Sequence, residues 1–73
     1  MRRLDGEDGR VWDVVLGRES WGSIFAIFVP FEAGASARQA PLRSRDLREA
    51  SRELDEMDLP ALRDLLKRSV PKG

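Results

Sequence analysis

The chain contains no cysteine, no histidine and no tyrosine. Without cysteine there is no disulfide to brace the fold. Without histidine a zinc site would have to be built from carboxylates alone. The three missing types are also the side chains that most often shuttle protons or act as activated nucleophiles near neutral pH. Charge of one sign is lacking too: 13 basic residues balance 13 acidic ones. No global field would therefore draw in nucleic acid or an anionic membrane. Long apolar runs are missing as well. The longest nearly apolar stretch, residues 21–31, is about half of what a membrane-spanning helix needs. The opening Met1-Arg2-Arg3 has no apolar run behind it and does not read as a signal peptide. The cytoplasm is then the expected compartment.

What remains is a chain of 73 residues, 41% hydrophobic and 36% charged. That supports one soluble domain with a thin core. A domain of this size buries only about 60 to 65% of the surface its unfolded chain exposes. Small folds often gain further stability from disulfides, metals or association, and association is the route left open. Eleven arginines stand against two lysines. This reads first as a compositional bias, and only second as a surface for carboxylates or phosphates.

Along the chain, residues 1–9 hold two glycines and three acids and read as a flexible lead-in. The spacing of Asp5, Glu7 and Asp8 is a poor match to a calcium loop, lacking its acid order and its closing glutamate. Residues 10–16 and 21–31 are rich in β-branched and aromatic types and read as a hairpin. With Arg18 and Glu19 at its tip, Leu16 opposes Trp21 and Trp12 opposes Phe25. A third, weaker strand follows within residues 36–43, with Pro41 suited to an edge. The period then changes. Leu47, Ala50, Leu54 and Met57 recur at helical spacing behind a Ser44 cap. Asp58 opens a second helix with Pro60 in its first turn and Leu59, Leu62, Leu65 and Leu66 on its apolar face. The expected fold is α+β: a three-stranded antiparallel meander over residues 10–43, then two short C-terminal helices over residues 44–70.

The run Gly9-Arg10-Val11-Trp12-Asp13-Val14, the apolar second strand and the closing Leu62-Arg63-Asp64-Leu65-Leu66-Lys67-Arg68 resemble a loose group of short bacterial proteins. The resemblance spans most of the chain and implies the same architecture, with no activity attached.

No catalytic residue, cofactor or metal site is expected. The serines fall in the hairpin, in turns or on helix surfaces, and neither a nucleophile elbow nor a glycine-rich phosphate loop is present. Asp13 is the one acid inside a strand with apolar neighbours, and the simpler reading turns it to solvent. So small a fold also offers little room for a substrate cavity.

The informative feature is the second strand, which is apolar on both sides, whereas a strand with one wet face alternates. In the register above, Trp12, Leu16, Trp21, Phe25, Ile27, Val29 and Phe31 form the face that the helices cover. Val11, Val15, Ile24 and Phe28 fall on the other. These four either lie under the protein's own chain or dock on another protein, as in a homodimer or a larger complex. The leading expectation is thus a non-enzymatic protein-interaction module. The alternative is a weak nucleic-acid binder using Arg38, Arg43, Arg45, Arg48 and Arg52, set against nearby acids that favour a merely solvated helix.

Overall fold

A computed structural model describes residues 2–6, 8–18 and 22–72. Five strands and two helices follow one another as β1 (Arg2–Asp5), β2 (Val11–Arg18), β3 (Ile24–Pro30), β4 (Arg38–Pro41), α1 (Leu47–Glu56), α2 (Leu59–Arg68) and β5 (Val70–Pro71). The strands form one antiparallel sheet in the order β1-β2-β3-β4-β5. Both helices lie on one side of it. The short dimension, 19 Å, is that of one sheet and one helical layer.

The α+β class and the two C-terminal helices agree with the sequence reading, but the sheet has five strands and not three. The lead-in is a strand because Leu4 and Arg2 both have partners across the sheet. Leu4 pairs with Trp12 and is fully buried. Arg2 donates from Nη1 to the carbonyls of Leu54 (2.8 Å) and Met57 (2.6 Å). Those carbonyls end α1, whose last turn has no basic residue of its own. A guanidinium from a distant strand therefore satisfies orphan acceptors where a cation suits the helix dipole. At the other edge, β5 pairs with Arg38 and Gln39 only. Pro41 lies beyond that pairing, where its missing N–H costs no ladder bond.

Local chemistry sets the turns. Gly9 closes the β1–β2 connection with its N–H on the Gly6 carbonyl (3.1 Å) and adopts φ +86°, a region that glycine enters without a Cβ penalty. Asp58 caps α2 by accepting from the Ala61 N–H at 3.0 Å, as expected. The cap of α1 is Asp46, which accepts from the Arg48 N–H at 2.9 Å. Ser44, the expected cap, instead donates from N–H (3.3 Å) and Oγ (2.8 Å) to Glu53 Oε1.

The β2–β3 register differs from the expected one. Trp12 pairs with Pro30, Val14 with Phe28 and Leu16 with Ala26. The expected tip and the Leu16–Trp21 pairing involve Glu19 and Trp21, outside the described residues. Relative to the expected pairing the strands are offset by an odd number of residues. Such an offset moves every side chain of one strand to the opposite face with respect to its neighbour. The core therefore gathers Leu4, Trp12, Val14, Ala26, Phe28 and Ala40 from the sheet beneath Leu54, Leu62 and Leu65 of the helices. Ala26 and Ala40 sit opposite each other, and two small side chains side by side let the helical layer approach closely.

Candidate functional site

Among the described residues, none forms a layer over the other side of the sheet. Its residues follow from the register: Val11 and Val15 on β2, Phe25, Ile27 and Val29 on β3, and Phe31 just beyond. Val29 is 41% exposed and Phe31 52%, and Val11, Val15, Phe25 and Ile27 are half-buried. Part of that shielding is internal. A Cβ built on Gly17 would lie 2.3 Å from Ile27 Cδ1, so the Ile27 side chain lies across β2 in the space that glycine leaves. Toward β1 the face carries charge. Asp13 sits between Arg3 of β1 and Val29 of β3, and the Arg3 guanidinium carbon stands 4.8 Å from the Phe31 ring centroid.

The four residues expected to form a docking surface are thus split. Val11 and Val15 lie on the open face. Ile24 (1% exposed) and Phe28 (0%) lie beneath the helices of their own chain. The expected pairing of these two with an outside partner is corrected: the odd register offset exchanges them for Phe25 and Ile27. Trp12 is a core residue, 5% exposed, on the covered side. Asp13 is half-buried on the open side of a strand flanked by β1 and β3, not on an edge.

The five arginines of the nucleic-acid alternative do not converge. Arg43 and Arg52 line an open groove of about 770 Å³ between the end of β4 and the helices, shared with Glu49, Glu53, Glu56 and Asp58. Its mixed sign is that of a solvated helix surface and not of a track for phosphates. Arg45 and Arg48 are exposed outside that groove. Neither the Arg45–Glu49 nor the Arg52–Glu56 ion pair forms among the described residues. The i,i+4 pair that does form is Arg68–Asp64 at 3.0 Å.

Arg38 belongs elsewhere. It points to the helix side of β4 and lines a second cavity, of about 340 Å³, with Arg10, Arg63 and Lys67 around an apolar wall of Trp12 and Leu66. The cavity's volume falls within the range of ligand pockets, more room than the little expected of so small a fold. The sequence showed no sign of the cavity, because its walls come from a turn, two strands and a helix that are far apart in the chain. Among the described residues, no three acidic side chains gather as a metal site would need. Nor is any helix among them long and apolar enough to cross a membrane. Set against known proteins, the chain matches no family model, no curated protein and no solved structure.

Proposed function

We propose that this chain is a non-enzymatic association module of the cytoplasm that pairs with a second copy of itself through the open sheet face. The observation that carries the reading is the run Phe25, Ile27, Val29 and Phe31, apolar and, among the described residues, without a covering layer. Contiguous exposed apolar surface of this kind usually marks an interaction site.

Three features favour a second copy as the occupant. The broad side of the molecule measures 31 × 27 Å, enough for the roughly 800 Å² per partner that a standard specific interface buries. The charged residues Arg3 and Asp13 lie toward the β1 side of the face, so a two-fold axis along β3 can lay apolar surface on apolar surface. Growth by edge pairing is discouraged at both ends. β1 is four residues long and carries three charges, and β5 has two residues, one of them proline; short, charged and proline-bearing edges resist strand addition. The absence of histidine, cysteine and tyrosine supports the non-enzymatic part of the proposal.

Sedimentation equilibrium of the wild type and of Val29→Lys tests it. Val29 lies opposite Asp13, so a lysine there gains a cross-strand partner in the monomer while placing a charge in the interface. The expected result is a dimer mass for the wild type and a monomer mass for a folded Val29→Lys. A wild type that stays monomeric to high micromolar concentration overturns the proposal, as does a dimer indifferent to the substitution. The nucleic-acid reading through the arginines between 38 and 52 predicts salt-sensitive binding that Arg48→Glu weakens, and the mixed-sign groove argues against it.

A further inference from the structure

We infer that the cavity between the β1–β2 turn and the second half of α2 binds a compact small molecule carrying a phosphate group. The inference is independent of the dimer, since the cavity opens on the helix side of the sheet.

The argument begins with charge. Among the described residues, three arginines, Arg10, Arg38 and Arg63, line the cavity with one carboxylate, that of Asp8. Asp8 is engaged at the rim, where its Oδ2 stands 3.6 Å from Arg10 Nε and its Oδ1 accepts from the Arg10 N–H at 3.1 Å. Arg38 and Arg63, both half-buried, meet no carboxylate among the described residues. Each is held by uncharged acceptors. Arg38 donates from Nε to Ser69 Oγ at 2.8 Å and from Nη2 to the Ser69 carbonyl at 2.6 Å. Ser69 is itself buried and donates to the Leu66 carbonyl. Arg63 donates from Nε to the Asp5 carbonyl at 2.9 Å. Neutral acceptors fix the direction of a guanidinium without cancelling its charge. Arg38 Nη1 and both terminal nitrogens of Arg63 are left for another acceptor, and a preorganised guanidinium fork suits a tetrahedral oxyanion.

A second observation concerns the apolar wall of the cavity. Trp12 lines the cavity, and its Nε1–H is buried with no acceptor among the described residues. Buried donors of that kind are rare enough to need an explanation. Gly6 lies beside this nitrogen, since a Cβ built there would approach Nε1 to 3.4 Å. The indole and Leu66 add an apolar wall, which suits a ligand with a flat or apolar body behind its anionic end. A volume of about 340 Å³ admits a compact ligand and leaves no room for a strand of nucleic acid.

The test uses the full chain labelled with ¹⁵N and carrying Trp21→Phe, so that Trp12 gives the one indole resonance. Phenyl phosphate, inorganic phosphate and benzoate are titrated separately. Phenyl phosphate is expected to move that resonance saturably and to bind tighter than inorganic phosphate, which lacks the body, and than benzoate, which lacks the dianion. Arg63→Met should weaken phenyl phosphate about tenfold, the loss of a charge-assisted hydrogen-bonded contact. Arg38→Met should do at least as much, and Arg38→Lys, which keeps charge without the fork, should recover part of it. Arg48→Glu, on exposed α1, should change nothing. If Arg38→Met fails to fold, Arg63→Met alone decides. The inference is overturned if the indole resonance does not saturate with any probe, if benzoate equals phenyl phosphate, or if Arg48→Glu weakens binding as much as Arg63→Met does.

Discussion

The two faces of the sheet have similar chemistry and different fates. The covered face presents Leu4, Trp12, Val14, Ile24, Ala26, Phe28 and Ala40, and the open one Val11, Val15, Phe25, Ile27, Val29 and Phe31. Apolar content does not separate them. Supply does: two helices of 10 residues each span about 15 Å apiece and can roof one side of the sheet in a molecule whose broad dimensions are 31 × 27 Å. They settle where Ala26 and Ala40 make a shallow floor. The face left over shields itself in part, with Ile27 lying over Gly17. A small chain that makes a strand greasy on both sides has thus divided its apolar surface between folding and, on the proposal above, association.

The sharpest way to break this comparison is to truncate one phenylalanine on each face. Phe28 is fully buried and Phe25 half-buried. Phe28→Ala should cost about 3 to 5 kcal/mol, enough to unfold much of a domain this small. Phe25→Ala should cost the monomer only about 1 kcal/mol, in line with its smaller loss of buried area. Urea denaturation at low protein concentration measures both. Equal costs would mean that the open face is as much a core as the covered one.

Arg2 and Arg3 repeat the contrast with a single residue type. They are neighbours in the chain and point to opposite faces. Arg2 serves two carbonyls at the end of α1, and Arg2→Met should cost about 1.5 to 3 kcal/mol, the range for hydrogen bonds from a charged donor. Arg3 lies against an exposed ring, and Arg3→Met should cost about 0.5 to 1 kcal/mol. Thermal unfolding of the two variants ranks them. A larger effect for Arg3 would show that its face carries more of the fold's stability than its exposure indicates.

Much of this layout was legible from periodicity. β-Branched and aromatic content marks β2 and β3, the change to helical spacing marks α1 and α2, and Asp58 announces its own helix. β1 left no such mark, because Leu4 is its one apolar residue and four residues cannot establish a period. β5 is shorter still, and it exists because the chain leaving α2 passes beside β4. The register was beyond reach for a different reason. Both faces of β3 are apolar, so hydrophobic pattern, which normally pins a strand pair, does not choose between even and odd offsets. The feature that made the central strand informative also hid which of its residues would be covered. For the candidate sites the consequence is direct: Phe25 and Ile27 stand where Ile24 and Phe28 were expected. The cationic cavity needed the fold, since Arg10, Arg38 and Arg63 become neighbours only through the sheet and α2.

The smallest expected effect on the monomer is the most discriminating. Gly17→Ala places a methyl group 2.3 Å from Ile27 Cδ1, too close unless that side chain swings away. The obstructing atom is the far end of a flexible chain, and over an open face it has somewhere to go. Alanine also removes the entropic penalty of a glycine within a strand, roughly 0.5 to 1 kcal/mol. The two effects oppose each other, and the stability of the monomer should change by less than about 1 kcal/mol. With a second copy pressed against the face, Ile27 has no such freedom. Overpacking of that kind costs about 1 to 3 kcal/mol, and the cost falls on association, raising the dissociation constant about tenfold. Denaturation at low concentration together with sedimentation at high concentration separates the two. If Gly17→Ala destabilises the monomer and leaves its association unchanged, Ile27 is held by its own chain, and the contrast between the faces is one of degree.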